Sequence, residues 1–72
     1  MSEEIRFLVF ATEYYRIKRG LSGKNLATMF EEHDIYKMII DNYFIYHIES
    51  PDHFVKEIDA VLQMKDIKKK DM

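Results

Sequence analysis

Seventy-two residues, with 11 basic and 13 acidic side chains and no cysteine, describe one small, nearly neutral domain that holds itself together without disulfides. A chain this short buries only about 60% of the surface it exposes when unfolded, yet 47% of its residues are hydrophobic and it carries five Phe and five Tyr. Thiolate zinc sites and thiol redox chemistry are excluded, no run reaches the roughly 18 apolar residues of a membrane span, and the acidic start Met1-Ser2-Glu3-Glu4 lacks the basic region of a signal peptide.

The expected compartment is therefore the cytoplasm. Charge is unevenly spread: from Glu31 to Ala60 eight acidic residues face only Lys37 and Lys56, whereas the segments on either side are net basic. An acidic middle is a poor ligand for nucleic acid and a fair one for a basic protein surface.

The first helix is predicted over residues 3–18. Ser2 caps it, Glu3 and Glu4 suit its positive end, and Arg16, Lys18 and Arg19 suit its negative end. Phe7, Phe10, Ala11, Tyr14 and Ile17 share one face, and Ile5, Leu8, Val9 and Tyr15 form an adjoining stripe. Only a narrow polar strip around Arg6, Glu13 and Arg16 remains. A helix apolar over so much of its circumference is normally buried on two sides.

The stretch Gly20 to Gly23 stops this helix and starts the next. Gly20 is placed for a left-handed end, Ser22 for an N-cap, and Leu21 with Leu26 for a hydrophobic staple. The second helix is predicted over residues 23–32, with Leu26, Met29 and Phe30 inward and Lys24, Asn25, Thr28, Glu31 and Glu32 facing solvent. Asp34 reads as the N-cap of a third helix over residues 35–46. Its two faces carry Tyr36, Ile39, Ile40 and Tyr43, and Ile35, Met38 and Ile45. Tyr43 to Ile48 is rich in strand formers, but no second strand-like segment is present to pair with it, so helix fraying into an extended link is the expectation. Ser50-Pro51, a capping serine before proline at the first helical position, opens a fourth helix over residues 51–64. Phe54, Ile58, Val61 and Leu62 face inward there, with Val55 flanking. The predicted fold is all-α: a compact bundle of about four short helices forming one domain over residues 1–65, followed by a frayed basic tail over 66–72.

Chemistry is thinly represented. His33, His47 and His53 lack the paired helical spacing of a zinc hydrolase, so no metal and no other cofactor is expected. Ser2, Ser22 and Ser50 are each accounted for as caps, and no glycine loop is left to cradle a phosphate. The chain is read as a non-enzyme without a small-molecule substrate or membrane partner. A helix-turn-helix would place the third helix in the major groove, but that helix offers only Lys37, Asp41 and Asn42 among apolar residues, behind Glu31, Glu32 and Asp34. Nucleic acid is not the expected partner.

Three stretches carry a resemblance: Glu4-Ile5-Arg6-Phe7-Leu8-Val9-Phe10; Leu21-Ser22-Gly23-Lys24 with Leu26 and Phe30; and Ile39-Ile40-Asp41-Asn42-Tyr43. Together with His47 and Phe54-Val55-Lys56-Glu57-Ile58-Asp59, they make residues 3 to about 62 similar to a family of short bacterial all-helical proteins of unknown function. Members of that family are often encoded beside ADP-ribosyltransferase-like proteins, and the resemblance implies a toxin–antitoxin or related partnership. Asn25 stands where the family commonly has Glu, which removes half of a capping box. Ser50-Pro51-Asp52 stands where it usually has a glycine-containing turn. The reading is a protein-binding module whose partner surface includes Phe7, Leu8, Phe10, Tyr14, Tyr36 and Tyr43. A self-associating homodimer is the alternative, and a nucleic-acid-binding regulator ranks third.

Overall fold

The computed structural model describes residues 1–70, with side chains described for residues 1–64. Among the described residues there are five helices and no strand: α1 (Glu3–Arg19), α2 (Gly23–Glu32), α3 (Ile35–Asp41), α4 (Tyr43–Tyr46) and α5 (Pro51–Lys70).

The corner between α1 and α2 forms as the residues demand. Gly20 adopts φ 65°, ψ 36°, the left-handed conformation that costs glycine nothing. The Leu21 amide then donates to the Arg16 carbonyl at 3.0 Å and the Gly20 amide to that of Ile17 at 3.2 Å. This pair of bonds satisfies carbonyls that the helix end would otherwise leave open. Ser22 Oγ accepts from the Asn25 amide at 3.1 Å, and Ser2 caps α1 in the same way through Ile5. Leu26 is buried, with Leu21 packed against the same core.

Asp34 does not cap α3 with its side chain. It sits at φ 55°, ψ 35° with no side-chain cap bond. A capping side chain needs an extended backbone at its own residue, and the reversal after α2 needs a left-handed one. The reversal wins, because Asp tolerates that conformation better than most residues. Only the Asp34 carbonyl serves the helix, accepting from Met38.

The predicted third helix is interrupted rather than continuous. Asn42 stands at φ −106°, ψ 17° between α3 and α4, and its Nδ2 donates to the Met38 carbonyl at 2.8 Å. The Met38 carbonyl also accepts from the Asn42 amide at 3.1 Å, so side chain and backbone share one acceptor where α3 ends. The strand-like run beyond it begins as a single helical turn, Tyr43–Tyr46, not as an extended link. At the other end, Ser50 Oγ accepts from the Asp52 amide, as a cap should. Helix α5 continues to Lys70, past residue 66 where the sequence predicts fraying; residues 71–72 of that tail lie outside the described residues.

One core holds the elements together. Ala11 and Tyr15 of α1, Leu26 and Phe30 of α2, and Ile35 and Ile39 of α3 meet Tyr46 of α4 and Phe54, Val55, Ile58 and Leu62 of α5. Lys24, Asn25, Thr28, Glu31 and Glu32 all face solvent as predicted. Ile40 and Ile45, placed by spacing on the apolar faces of one continuous helix, are exposed: buried Ile35, Ile39 and Tyr46 keep one helical face across the break at Asn42, and Ile40 and Ile45 lie off it on either side. No described helix is long and apolar enough to cross a membrane.

Candidate functional site

Phe54 is the hub around which the predicted partner surface arranges itself. It lies one turn into α5, fully buried. The rings of Phe7 (5.8 Å), Phe10 (6.2 Å), Tyr14 (5.8 Å) and Tyr46 (6.1 Å) surround it, mostly edge to face. Such contacts add about 0.5–1.5 kcal/mol beyond simple burial. Two polar bonds fix the rim of this cluster. The Tyr14 hydroxyl donates to Asp52 at 2.9 Å, and the Tyr43 hydroxyl donates to Glu3 at 3.2 Å. The bond to Asp52, together with burial and the negative charge of that carboxylate, raises the Tyr14 phenol above its ordinary range.

Four of the six predicted surface residues are thus brought together: Phe7, Phe10, Tyr14 and Tyr43. Leu8 is half-buried against the core, as are Phe7 and Tyr14, but makes no part of the ring cluster. Tyr36 lies apart, its ring 5.4 Å from Phe30 in an edge-to-face contact.

From this cluster the rings run outward. Phe7 meets Tyr43 at 5.5 Å, Tyr43 stacks on His47 at 4.4 Å with planes only 5° apart, and His47 meets Phe44 at 5.7 Å. Phe44 is 74% exposed, and Ile45 and Ile48 close to it in sequence are also exposed. At the other end Phe10 is 47% exposed, with Val9 at 59% and Ile17 at 66%. An open apolar hollow of 380 Å³ lies there, lined by Val9, Phe10, Glu13, Tyr14 and Ile17, all from α1. Phe44, Ile48 and Ile17 are surface residues that the sequence reading does not single out. Helical spacing is the signal that could have found Phe44, which lies nine residues after buried Ile35 and so on the opposite side of the helix.

The polar groups are engaged locally. Arg16 pairs with Glu13, Lys18 with Asp52, Arg19 with Asp59 and Lys37 with Asp41. His53 sits between Glu49 and Glu57, one turn away on either side. Burial and a bond to Glu57 raise the Tyr46 phenol. A second open hollow, 430 Å³, runs along the start of α5 past Ser50, Asp52, His53, Lys56, Glu57 and Ala60. Among the described residues no group of three His, Cys, Asp or Glu side chains is placed to hold a metal ion. The three serine hydroxyls accept backbone bonds at helix starts.

A family model described as a protein of unknown function, DUF3791, matches residues 6–65 of the chain. No curated protein and no solved structure matches it.

Proposed function

We propose that this chain, which belongs to the DUF3791 family, is a non-enzymatic protein-binding module that presents its aromatic band to a protein partner. One observation carries the reading: the rings run without a gap from Phe10 through Phe7, Tyr43 and His47 to Phe44, and both ends are exposed to solvent. Phe7 and Phe10 pack on buried Phe54, so that end of the band is held in place, and Tyr43 stacked on His47 carries it on to Phe44. Interfaces enrich aromatic side chains at their core and draw most of their affinity from a few such anchors. A preorganised aromatic surface also loses little rotamer entropy on binding.

The partner we propose is an ADP-ribosyltransferase-like protein, with this chain acting as its antitoxin-like counterpart. The resemblance to a family encoded beside such proteins supports that choice. Co-expression of the chain with the ADP-ribosyltransferase-like product of a neighbouring gene tests it. A stoichiometric complex should co-purify, and Phe44→Asp should weaken it at least ~10-fold, as loss of an anchor does, while the thermal transition stays put because Phe44 is not part of the core. Failure to co-purify, or full binding by both Phe44→Asp and Phe10→Asp, would overturn the reading. Self-association is the second reading, favoured by the outward face of α1.

A further inference from the structure

The side of α1 turned away from the core is unlike an ordinary solvated helix face. Val9, Phe10 and Ile17 stand exposed on it, around a hollow whose walls come from α1 alone. Two charges share this face. Arg6 lies three residues before Val9, and Glu13 three residues after Phe10. Residues three and four apart on a helix are surface neighbours, so the order along the face is positive, apolar, apolar, negative. Arg6 has no carboxylate partner among the described residues. Glu13 is held by Arg16, yet a carboxylate has about four acceptor sites and retains room for a second guanidinium.

That pattern is its own complement when reversed. We propose that the outward face of α1 takes α1 of a second copy of this chain, antiparallel, about a two-fold axis passing between Val9 and Phe10. In that arrangement Val9 and Phe10 meet the partner's Phe10 and Val9 at the centre. Arg6 then falls opposite the partner's Glu13, and Glu13 opposite the partner's Arg6. Two ion pairs therefore flank one apolar centre, as an isologous contact requires. Parallel pairing would instead set Arg6 against Arg6 and Glu13 against Glu13. One helix per subunit covers less than the ~800 Å² per partner of a standard interface, so the dimer is a reversible one.

Sedimentation equilibrium with charge-reversed variants tests both the pairing and its direction. The wild-type chain should be dimeric at about 100 μM. Arg6→Glu or Glu13→Arg alone converts two attractive pairs into two repulsive ones and should weaken the dimer about tenfold, from the usual size of exposed pairs. The double variant carrying both changes should return to within about threefold of wild type. Both positions are exposed, and Glu13→Arg gives up only the surface pair with Arg16, so the fold should persist by helical circular dichroism. A wild-type monomer at that concentration, single variants that dimerise normally, or a double variant that stays weak would overturn the proposal. The partner-binding reading fails or stands separately. Binding lost through Phe44→Asp with the dimer intact supports both, whereas a monomer that still captures its partner removes the self-pairing alone.

Discussion

At the scale of single residues, the most informative contact joins the two longest helices. The Tyr15 hydroxyl donates to Asp59 at 2.6 Å, and the Arg19 guanidinium grips the same carboxylate. Burial works to raise the Asp59 carboxyl, but bonds from Arg19 and Tyr15 outweigh it and hold the group below its ordinary value. Burial first, and then the bond to Asp59, push the Tyr15 phenol well above its own. The consequences for stability have opposite signs. A carboxyl lowered in the folded state contributes stability above its unfolded pKa, near 4, and loses it as pH falls through the folded value. A phenol raised in the folded state contributes below its unfolded pKa, near 10, and loses it as pH rises further. Asp59→Asn should therefore cost about 1 kcal/mol at neutral pH, a charged hydrogen bond discounted for partial exposure. Urea unfolding of both proteins should show that gap constant from about pH 5 to 9 and shrinking below about pH 4. A gap that persists unchanged at pH 2 would mean the carboxylate charge is not what Asp59 supplies. Ser22→Ala should cost ~1 kcal/mol and Leu26→Ala ~2–5 kcal/mol. In a domain with ~5 kcal/mol to lose, the second change can unfold it, and chemical denaturation distinguishes the two.

At the scale of elements, the boundaries that rest on local chemistry are legible in the sequence. Gly20, Ser22 and Ser50-Pro51 act through their own backbone and side chains, and each does in the fold what its type suggests. Asp34 departs from expectation because it has two local uses, and tertiary geometry selects between them. Asp can cap or go left-handed, and the tight reversal onto the core beside buried His33 takes the second. Asn42 keeps its helical amide bond to the Met38 carbonyl and adds its side chain to the same acceptor, at the point where α3 ends. Phe7, Phe10, Tyr14 and Tyr43 are identifiable from spacing, and Phe44 lies on the side of the same helical period opposite buried Ile35 and Ile39. The two roles of Asp34 differ measurably. A side-chain cap replaced by Gly would lose a few tenths of a kcal/mol, whereas a left-handed Asp replaced by Gly should gain about 1 kcal/mol from relieved strain, less some chain entropy. Asp34→Gly is therefore expected to raise the denaturation midpoint, and Asp34→Ala to lower it.

At the scale of the whole molecule, charge decides which class of partner the surface can hold. Duplex DNA is bound chiefly by basic side chains that release counterions from phosphates, and the affinity falls steeply with salt. Here Arg16, Lys18, Arg19 and Lys37 each already face a carboxylate of the same chain. Arg6, Lys24 and Lys56 have no such ion-pair partner among the described residues, and they lie far apart in sequence, on α1, α2 and α5. The helix that begins after the reversal at Asp34, α3, is seven residues long, its Lys37 is tied to Asp41, and Glu31, Glu32 and Asp34 stand at its entrance. A recognition helix approaching phosphates would bring those three carboxylates with it. The purified chain is accordingly expected to leave duplex DNA unshifted at about 150 mM salt and low micromolar protein, because the carboxylates around α3 repel phosphates and the unpaired cations of the described residues lie on three different helices. A salt-sensitive gel shift under those conditions would transfer the aromatic band from protein recognition to base stacking, and Arg6 and Lys24 would be the first positions to replace.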